Sequence, residues 1–451
     1  METNLTAGAA RIDLTPTRRL AGSRVDAHFG PGGSPLQGTA LAFECGDRAA
    51  ALVAVDLCVL DPSTVRFIRQ RVSEVTPIPA ANLMLAASHT HSGPHVTRWL
   101  TPELDCEYVA WFADRLVEVT ARAWETRRPA LVGTGKGIVG LAVNRWVETP
   151  QGARWGVAWD CPTDNTLTVL RVDAPDGGPF AAMANFAAHA SVMSFGKAQR
   201  YSADYPGFVR GYLEAANPGL TGLFTNGASG DLKIAFVDDN GEQFRYGDIG
   251  DARHFGELIG REAQMVMSRI SPEPVRELRV ASEWCELPMG DPPTEEELLR
   301  DIADPEFPQC GTAWAREMLA LLRAGRFPAT FPAQVQVLRL GQAAVLVALP
   351  GEPFVEIGLR LRRELAPAYP ALCLLGYANG YAGYLPSRRS VILDGARPRY
   401  NWHKFVGMPA LYTEQAEDVL VAAVHTAVAA TTVGTPTPGT PGRASRALTT
   451  P

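Results

Sequence analysis

Short apolar runs alternate with longer amphipathic stretches through most of the chain. The apolar runs have the length of buried strands, whereas the amphipathic stretches repeat their apolar positions with the period of a helix. The clearest single signal is Asp61 followed by Pro62, which predicts an N-cap and a first helical residue. Strands are predicted at 40–45, 49–55, 82–87, 130–134, 167–172, 181–188, 222–225, 334–340, 343–349 and 371–377, and helices at 62–75, 104–126, 253–270, 294–303, 312–323, 353–365 and 414–430.

The alternation of strands and helices continues without a change of composition. This predicts one large α/β domain over residues 1–430, built from layers of mixed β-sheet flanked by helices. Two charged helices within about 290–326 are expected to form an insertion at the periphery. Residues 431–451 are rich in Thr, Pro and Gly and almost without apolar side chains, so they are predicted to be a disordered tail.

Composition and charge exclude several classes of protein. The chain of 451 residues has a net charge of −6 at pH 7 and no basic run, which argues against a nucleic-acid partner. No apolar run reaches the roughly 18 residues of a membrane span, so stable membrane insertion is not expected. The first residues lack the pattern of a secretory signal, and the seven cysteines are scattered, which together predict a cytoplasmic protein.

Four of the predicted strands lead into side chains that can bind a metal. Strand 82–87 leads to His89 and His91, strand 181–188 to His189, strand 343–349 to Glu352, and strand 371–377 towards Tyr384. Functional groups gather at the carboxyl ends of strands in open α/β sheets, so these side chains would meet if the strands share one sheet edge. Because imidazole and carboxylate ligands together suit Zn²⁺, the pattern predicts a catalytic zinc site.

Each of these residues has a simpler explanation when it is taken alone. The His-x-His pair is compatible with a polar loop that caps a helix, and His189 with a buried core histidine. Glu352 is compatible with a carboxylate in the first turn of a helix, and Tyr384 with a packed aromatic side chain. The prediction of a site therefore depends on the coincidence of four strand ends.

The chain also carries a series of motifs that resemble the N-terminal catalytic domain of the neutral/alkaline ceramidase superfamily. The most specific are His-Thr-His-Ser-Gly-Pro at 89–94 and Asn-Gly-Tyr-Ala-Gly-Tyr at 379–384. The others are the opening segment 7–16, Asp56 within 53–57, Asn-Arg at 144–145, Asn-Phe-Ala-Ala-His at 185–189 and Pro-Gly-Glu at 350–352. The motifs come in the family's order over roughly residues 5–430, and they imply a fold like that of the ceramidase N-terminal domain.

The resemblance implies a specific set of roles for these residues. It implies one Zn²⁺ bound by His89, His189, Glu352 and Tyr384, and a zinc-bound water that attacks an amide carbonyl. It implies that His91 and Arg145 lie beside the carbonyl oxygen or the leaving group. The roles are physically consistent, because an imidazole can transfer a proton near neutral pH and a guanidinium can stabilise an oxyanion. The Tyr384 phenol would bind the metal or donate to that oxyanion.

One position departs from the family's pattern. The family has a serine in the sequence Gly-Asp-Val-Ser-Pro-Asn where this chain has Lys233, so a serine nucleophile is not expected there. Lys233 either binds an acidic group of the substrate or is a solvated loop lysine, which is the more frequent case. Tyr400 is a further candidate for the site, although its spacing from Tyr384 does not align with the family.

The sequence therefore favours a zinc-dependent hydrolase that cleaves the C–N bond of a small or N-acyl amide. Two alternatives remain open at this point. A biosynthetic cyclase or acyltransferase would form an amide or lactam at the same zinc site, and a non-catalytic binding protein would keep the metal for structure alone. The expected partner is a small-molecule amide substrate, and the sequence leaves homo-oligomerisation open.

Overall fold

The computed structural model describes residues 4–18, 20, 33–97, 103–150, 152–193, 200–307, 309–394, 402–405 and 407–432. Its strands are β1 (Leu5–Asp13), β2 (Gln37–Cys45), β3 (Arg48–Val55), β4 (Leu83–Ala87), β5 (Arg128–Pro129), β6 (Leu131–Ile138), β7 (Ala142–Thr149), β8 (Gly152–Ala158), β9 (Thr166–Asp173), β10 (Pro179–Phe186), β11 (Thr221–Asn226), β12 (Leu232–Ile234), β13 (Glu273–Pro274), β14 (Leu278–Pro288), β15 (Thr330–Leu340), β16 (Ala344–Ala348), β17 (Glu352–Pro353), β18 (Leu372–Leu375) and β19 (Tyr384–Leu385). Its helices are α1 (Pro62–Val75), α2 (Cys106–Glu125), α3 (Asp204–Ala216), α4 (Ile249–Arg269), α5 (Glu295–Ala303), α6 (Gln309–Arg323), α7 (Val355–Leu365), α8 (Arg388–Asp394), α9 (Trp402–Phe405) and α10 (Ala416–Ala430).

The strands form several sheets that combine parallel and antiparallel pairs. The first sheet has the order β4-β3-β2-β1-β5, the second β11-β10-β9-β6-β13, the third β12-β7-β8 and the fourth β14-β15-β16-β18. The parallel pairs are β3 with β4, β10 with β11, β16 with β18, and the short pair β17 with β19. The predicted α/β class with mixed sheets flanked by helices is confirmed.

Apolar side chains bury both faces of the main sheets, which gives a helix–sheet–sheet–helix arrangement. Phe43 of the first sheet, Met183 of the second and Leu346 of the fourth belong to one buried cluster between the sheets. The outer face of the first sheet packs on α1 and α2. The outer faces of the second and fourth sheets pack on α3 and α4, and on α7 and α10. This layering places the ends of the parallel strands close together.

Local signals in the sequence explain where several helices begin. Asp61 caps α1, because its carboxylate accepts the Ser63 N–H at 2.7 Å, and Pro62 is the first helical residue, as predicted. Asp248 and Thr294 begin α4 and α5 with reciprocal capping boxes. Helices α5 and α6, predicted as a pair within about 290–326, pack on each other around Leu298 and Trp314.

Several strands were not predicted from the hydrophobic pattern. Strands β7, β8 and β14 carry polar or half-exposed side chains at many positions, so their apolar content is low for their length. The strand predicted at 181–188 ends two residues earlier, at Phe186. A single domain over 1–430 and a helical insertion remain predictions, and residues 433–451 of the predicted tail lie outside the described residues. Among the helices of the described residues, none has both the length and the apolar character that crossing a bilayer demands.

Candidate functional site

The predicted site residues come together, but not at one sheet edge. Strand β4 of the first sheet leads to His89, β10 of the second sheet leads to His189, and β16 of the fourth sheet leads to Glu352. The sheets are joined there by backbone hydrogen bonds, such as Gly376 N–H to Asn226 O at 3.0 Å and Ala87 N–H to Tyr377 O at 3.1 Å. The side chains therefore meet although their strands do not share one sheet edge, because three separate sheets supply the strand ends.

The backbone around the site adopts a conformation that side-chain-bearing residues rarely adopt. His89, Tyr377 and Asn379 have φ values of +63°, +55° and +58°. Such values cost energy for any residue with a Cβ and persist only where the surroundings enforce them. The Asn379 side chain supplies part of this enforcement, because it accepts the Leu85 N–H at 3.0 Å and donates to Gln336 Oε1 at 2.8 Å.

His89, His189 and Glu352 form a fully buried cluster. The Nε2 atoms of both histidines lie 3.2 Å from the same oxygen, Glu352 Oε2, and the three side chains are at most 3% exposed. On the opposite side of each ring, Nδ1 lies against a backbone carbonyl, Cys58 O at 2.7 Å and Ser229 O at 2.8 Å. A carbonyl only accepts, so each Nδ1 carries a proton. The neutral His189 turns the lone pair of its Nε2 towards Glu352, and His89 does so once its second proton is lost.

Burial and mutual charge determine the protonation of the cluster. Burial, followed by the positive charges of neighbouring groups, holds the pKa of His189 and of His91 well below the usual range. Burial acts to raise the pKa of Glu352, but the His89 charge and the histidine hydrogen bonds lower it well below the usual range. Burial acts to lower the pKa of His89, whereas Cys58 and Glu352 raise it to about 10. The carboxylate therefore stays ionised and attracts a cation.

This donor set fits a divalent metal ion. The ligand atoms of His89, His189 and Glu352 lie within 4.8 Å of one another. Glu352 Oε1 accepts the Tyr381 hydroxyl at 2.6 Å, but Glu352 Oε2 has no hydrogen-bond partner among the described residues. A buried anionic oxygen is costly unless a cation lies beside it. Two imidazoles and one carboxylate, each held by a second hydrogen bond, are a ligand set typical of Zn²⁺.

His91 lies directly beside this cluster. Its Nε2 is 3.3 Å from His89 Nε2, and its ring centroid is 5.4 Å from that of His189. Its backbone N–H donates to Ala190 O at 2.9 Å, which ties the loop after β4 to the loop after β10. Its side chain is half-buried, whereas those of His89 and His189 are buried, so His91 lies at the open side of the cluster. Its predicted role as a catalytic residue remains a prediction.

Arg145 brings a permanent positive charge to the cluster from β7. Its Nη2 donates to His189 Nε2 at 2.8 Å, to Gly230 O at 2.6 Å and to the Tyr384 hydroxyl at 3.3 Å. Its guanidinium lies 4.1 Å from the ring centroid of Trp155. Its buried Nε has no hydrogen-bond partner among the described residues. One N–H of the guanidinium thus remains available beside the metal-capable cluster.

Tyr384 reaches the site through backbone pairing, because β19 pairs with β17 and sets Tyr384 opposite Glu352. Burial raises the pKa of the Tyr384 phenol, which keeps it protonated. The structure brings this hydroxyl to Arg145, whereas the hydroxyl on Glu352 comes from Tyr381. Metal ligation by Tyr384 stays a prediction.

Three supporting residues were not identified from the sequence. Tyr381 holds Glu352, and Tyr377 stacks on the His89 ring at 4.0 Å while its hydroxyl meets Ser229 Oγ at 2.9 Å. Cys58 holds His89 through its carbonyl. The clustering of Tyr377, Tyr381 and Tyr384 within one short segment was the available signal for the two tyrosines. The role of Cys58 depends on a backbone carbonyl, which carries no sequence signal.

Lys233 is not a solvated loop lysine. It is 7% exposed, and burial, followed by the charge of Arg145, lowers its pKa to about 7. The neighbouring Asp204 carboxylate accepts the N–H groups of Met193 and Tyr205 at 2.9 and 2.6 Å. Tyr400 lies outside the described residues.

Comparisons with known proteins agree with this geometry at the level of the fold. No family model matches the chain, and no curated protein matches its sequence. Among solved structures, neutral ceramidase from Pseudomonas aeruginosa superposes with a TM-score of 0.69 at 19% identity, over 95% of this chain and 74% of that one. A ceramidase complexed with C2 superposes with a TM-score of 0.70, also at 19% identity, over 95% of this chain and 75% of that one. The chain therefore has the fold of neutral ceramidase.

Proposed function

We propose that the protein is a zinc-dependent hydrolase that cleaves the C–N bond of a small or N-acyl amide. The observation that carries the proposal is the buried cluster of His89, His189 and Glu352, whose ligand atoms lie within 4.8 Å of one another and in which Glu352 Oε2 has no hydrogen-bond partner among the described residues. The ceramidase-like fold supports the amide bond as the target. His91 and Arg145 beside the cluster favour an enzyme over a protein that keeps a metal for structure alone.

His89, His189 and Glu352 would hold the zinc ion, with Tyr384 as a candidate fourth ligand. When bound, the ion supplies a Lewis acid and lowers the pKa of water to about 7. These ligand side chains are oriented by other groups of the protein. The carbonyls of Cys58 and Ser229 accept hydrogen bonds from Nδ1 of the two imidazoles, and the Tyr381 hydroxyl donates to one oxygen of Glu352. Such supporting hydrogen bonds orient ligands and reduce the ordering cost of binding.

In this proposal His91 would move the proton. Hydrolysis adds the oxygen of water to the carbonyl carbon, breaks the C–N bond and gives a carboxylic acid and an amine. The depressed pKa of His91 keeps its imidazole neutral and able to accept a proton from water at Nε2. The imidazolium can then give that proton to the leaving nitrogen, so His91 is neutral again at the end of the cycle.

Arg145 and Tyr384 are placed to stabilise the negative charge that develops on the carbonyl oxygen. The guanidinium is always charged, and its Nε–H has no protein acceptor among the described residues. The raised pKa of Tyr384 keeps its hydroxyl protonated, so it can donate a hydrogen bond. Donors fixed beforehand in a buried site stabilise such a charge without reorganisation during the reaction.

The test compares His89→Ala with His91→Ala in the full chain. Wild type and His91→Ala are expected to contain about one zinc per chain by elemental analysis, whereas His89→Ala is expected to lose it. Turnover of N-acyl amides, followed by mass spectrometry, is expected to vanish in His89→Ala and to fall about 10²–10⁴-fold in His91→Ala. Treating the wild type with a chelator should abolish turnover, and zinc should restore it.

The control variant is His425→Ala, since His425 is exposed on α10 and pairs with Glu364 at 2.7 Å. It should match the wild type in zinc content and turnover. If His91→Ala lost its zinc, His91 would be a metal ligand. If zinc-loaded protein joined free acids to amines but hydrolysed no amide, the enzyme would be a synthetic one. If it did neither, the proposal would fail.

A further inference from the structure

Lys233 is buried beside the candidate active site, and its ammonium group forms no direct ion pair among the described residues, although the charge of Asp204 acts on it from a longer distance. It is 7% exposed, and no hydrogen bond or ion pair to its Nζ occurs within that part of the chain. Two aromatic rings flank the amine, with Nζ 4.7 Å from the ring centroid of Phe244 and 4.2 Å from that of Tyr246. Cation–π contacts offset part of the cost of burying a charge, but they do not neutralise it.

Backbone pairing sets the Lys233 side chain on the same face as the functional groups. Lys233 pairs with Val143 of β7 on one side and forms a parallel bridge with His189 on the other. Paired residues of neighbouring strands direct their side chains to the same face, and so do residues two apart on one strand. Lys233 therefore shares a face with His189 and, through Val143, with Arg145.

The acidic groups of this region are already engaged. Asp204 accepts two backbone N–H groups, and Asp231 accepts the Asn144 amide at 2.9 Å and the Val355 N–H at 2.7 Å. Glu352 belongs to the cluster with His89 and His189. Lys233 and Arg145 are thus two buried cations without a dedicated carboxylate, and buried cations normally have one.

We propose that Lys233 is a substrate-binding residue that pairs with a carboxylate of the substrate. The inference rests on the proposed amide hydrolysis and narrows its substrates to amides that carry an acidic group, such as N-acyl amino acids. A carboxylate is favoured over a phosphate, because a single ammonium between two aromatic rings offers one charge and few donors. The amide carbonyl would then lie at Arg145 and the carboxylate at Lys233, on one face of the third sheet.

The test uses two substrates that differ only in the acidic group. N-octanoylglycine carries a carboxylate where N-octanoylethylamine carries a methyl group, and the readout is the ratio of their kcat/KM values. The wild type should favour the acidic substrate by at least about tenfold. Lys233→Met should lower this ratio about 10–100-fold, chiefly through KM, since a buried hydrogen bond between charged groups is lost. Lys233→Arg should retain part of the preference.

The matched control is Lys136→Met, which removes an exposed lysine of β6 and should leave the ratio unchanged. A wild type without preference for the acidic substrate would overturn the inference while leaving amide hydrolysis intact. If Lys233→Met does not fold, Lys233→Ser is tested instead, because the ceramidase family has a serine at this position. The preference of the wild type for the acidic substrate also tests the inference by itself.

A calorimetric titration separates this inference from the proposed function, because it needs no turnover. Zinc-loaded wild type should bind glutarate more tightly than butyrate, and Lys233→Met should lose the difference. If no amide is hydrolysed but this difference depends on Lys233, the carboxylate site stands and only the proposed reaction fails. Equal binding of the two acids, or tighter binding of inorganic phosphate than of glutarate, would overturn the assignment.

Discussion

Two buried groups of charges in this protein are built in opposite ways. Asp56, which follows β3, and Arg210 of α3 form a two-point ion pair with distances of 2.8 and 2.7 Å, and both are at most 5% exposed. At the candidate site, Arg145 and Lys233 are buried to a similar degree, at 8% and 7% exposure, without such a pair among the described residues. The charges of the first group are paired with each other, although Arg210 Nε has no hydrogen-bond partner among the described residues, whereas the charges of the second group are not paired.

This difference indicates which charges serve the fold and which serve a ligand. A buried charge with its own partner joins two elements and needs nothing further, as Asp56 joins the first sheet to α3. A buried charge without a partner lowers stability, and a protein retains it where a ligand completes it. Glu352 Oε2, the anionic oxygen of the same site, likewise has no hydrogen-bond partner among the described residues.

The largest effect is expected from His189→Ala, which removes one donor from the incomplete cluster. The variant should lose nearly all bound metal, because the two remaining donors do not hold zinc against water. Elemental analysis of protein purified without added metal measures this. Full metal occupancy in His189→Ala would show that His189 is not a metal ligand. It would also weaken the contrast between the two regions.

The next effect is expected from Asp56→Ala in the region with paired charges. Arg210 would remain buried without its partner, so the free energy of unfolding should fall by about 3–5 kcal/mol. Urea unfolding followed by circular dichroism measures the change. Lys233→Met serves as the comparison, since replacing an unpaired buried charge with an apolar side chain should leave stability equal or higher. Equal losses in both variants would show that the two regions do not differ.

The smallest effect is expected from Tyr381→Phe, which keeps the ring and removes the hydroxyl that holds Glu352 Oε1. Loss of a hydrogen bond to a metal ligand typically lowers metal affinity about 10–100-fold. Competition with a chromophoric zinc chelator measures the change in affinity. Tyr412→Phe is a suitable control, because the Tyr412 hydroxyl donates to the Ala382 carbonyl at 2.7 Å instead. An unchanged affinity in Tyr381→Phe would mean that its hydroxyl does not tune the ligand.

Local sequence signals predicted more of the fold than of the site's surroundings. Helix α1 begins where Asp61 and Pro62 indicate, since a cap and a proline act within one turn. The ligand candidates were predictable because each follows an apolar run. The origin of those runs in three sheets was not, because a run of apolar residues does not specify its neighbouring strand.

Long-range contacts explain what the sequence pattern missed. Lysines are mostly exposed, so the sequence favoured a solvated Lys233 over one that binds an acidic group of the substrate, but Phe244 and Tyr246 from the following loop cover it. Tyr377 contacts His89 only after the first and fourth sheets have docked, and Tyr381 reaches Glu352 between the segments that follow β18 and β16 of the fourth sheet. Such roles arise from tertiary packing and do not produce a periodic pattern of hydrophobic and polar residues in the sequence.

The assembly of the cluster from three sheets has a consequence for how the protein matures. More than half of the chain separates His89 from Glu352. The two residues therefore meet only through a contact between parts of the sequence that lie very far apart. No partly folded chain with a missing sheet could present the complete donor set. Metal capture would therefore come after the sheets have docked. Bound metal would accordingly act as a marker of chains that have finished folding.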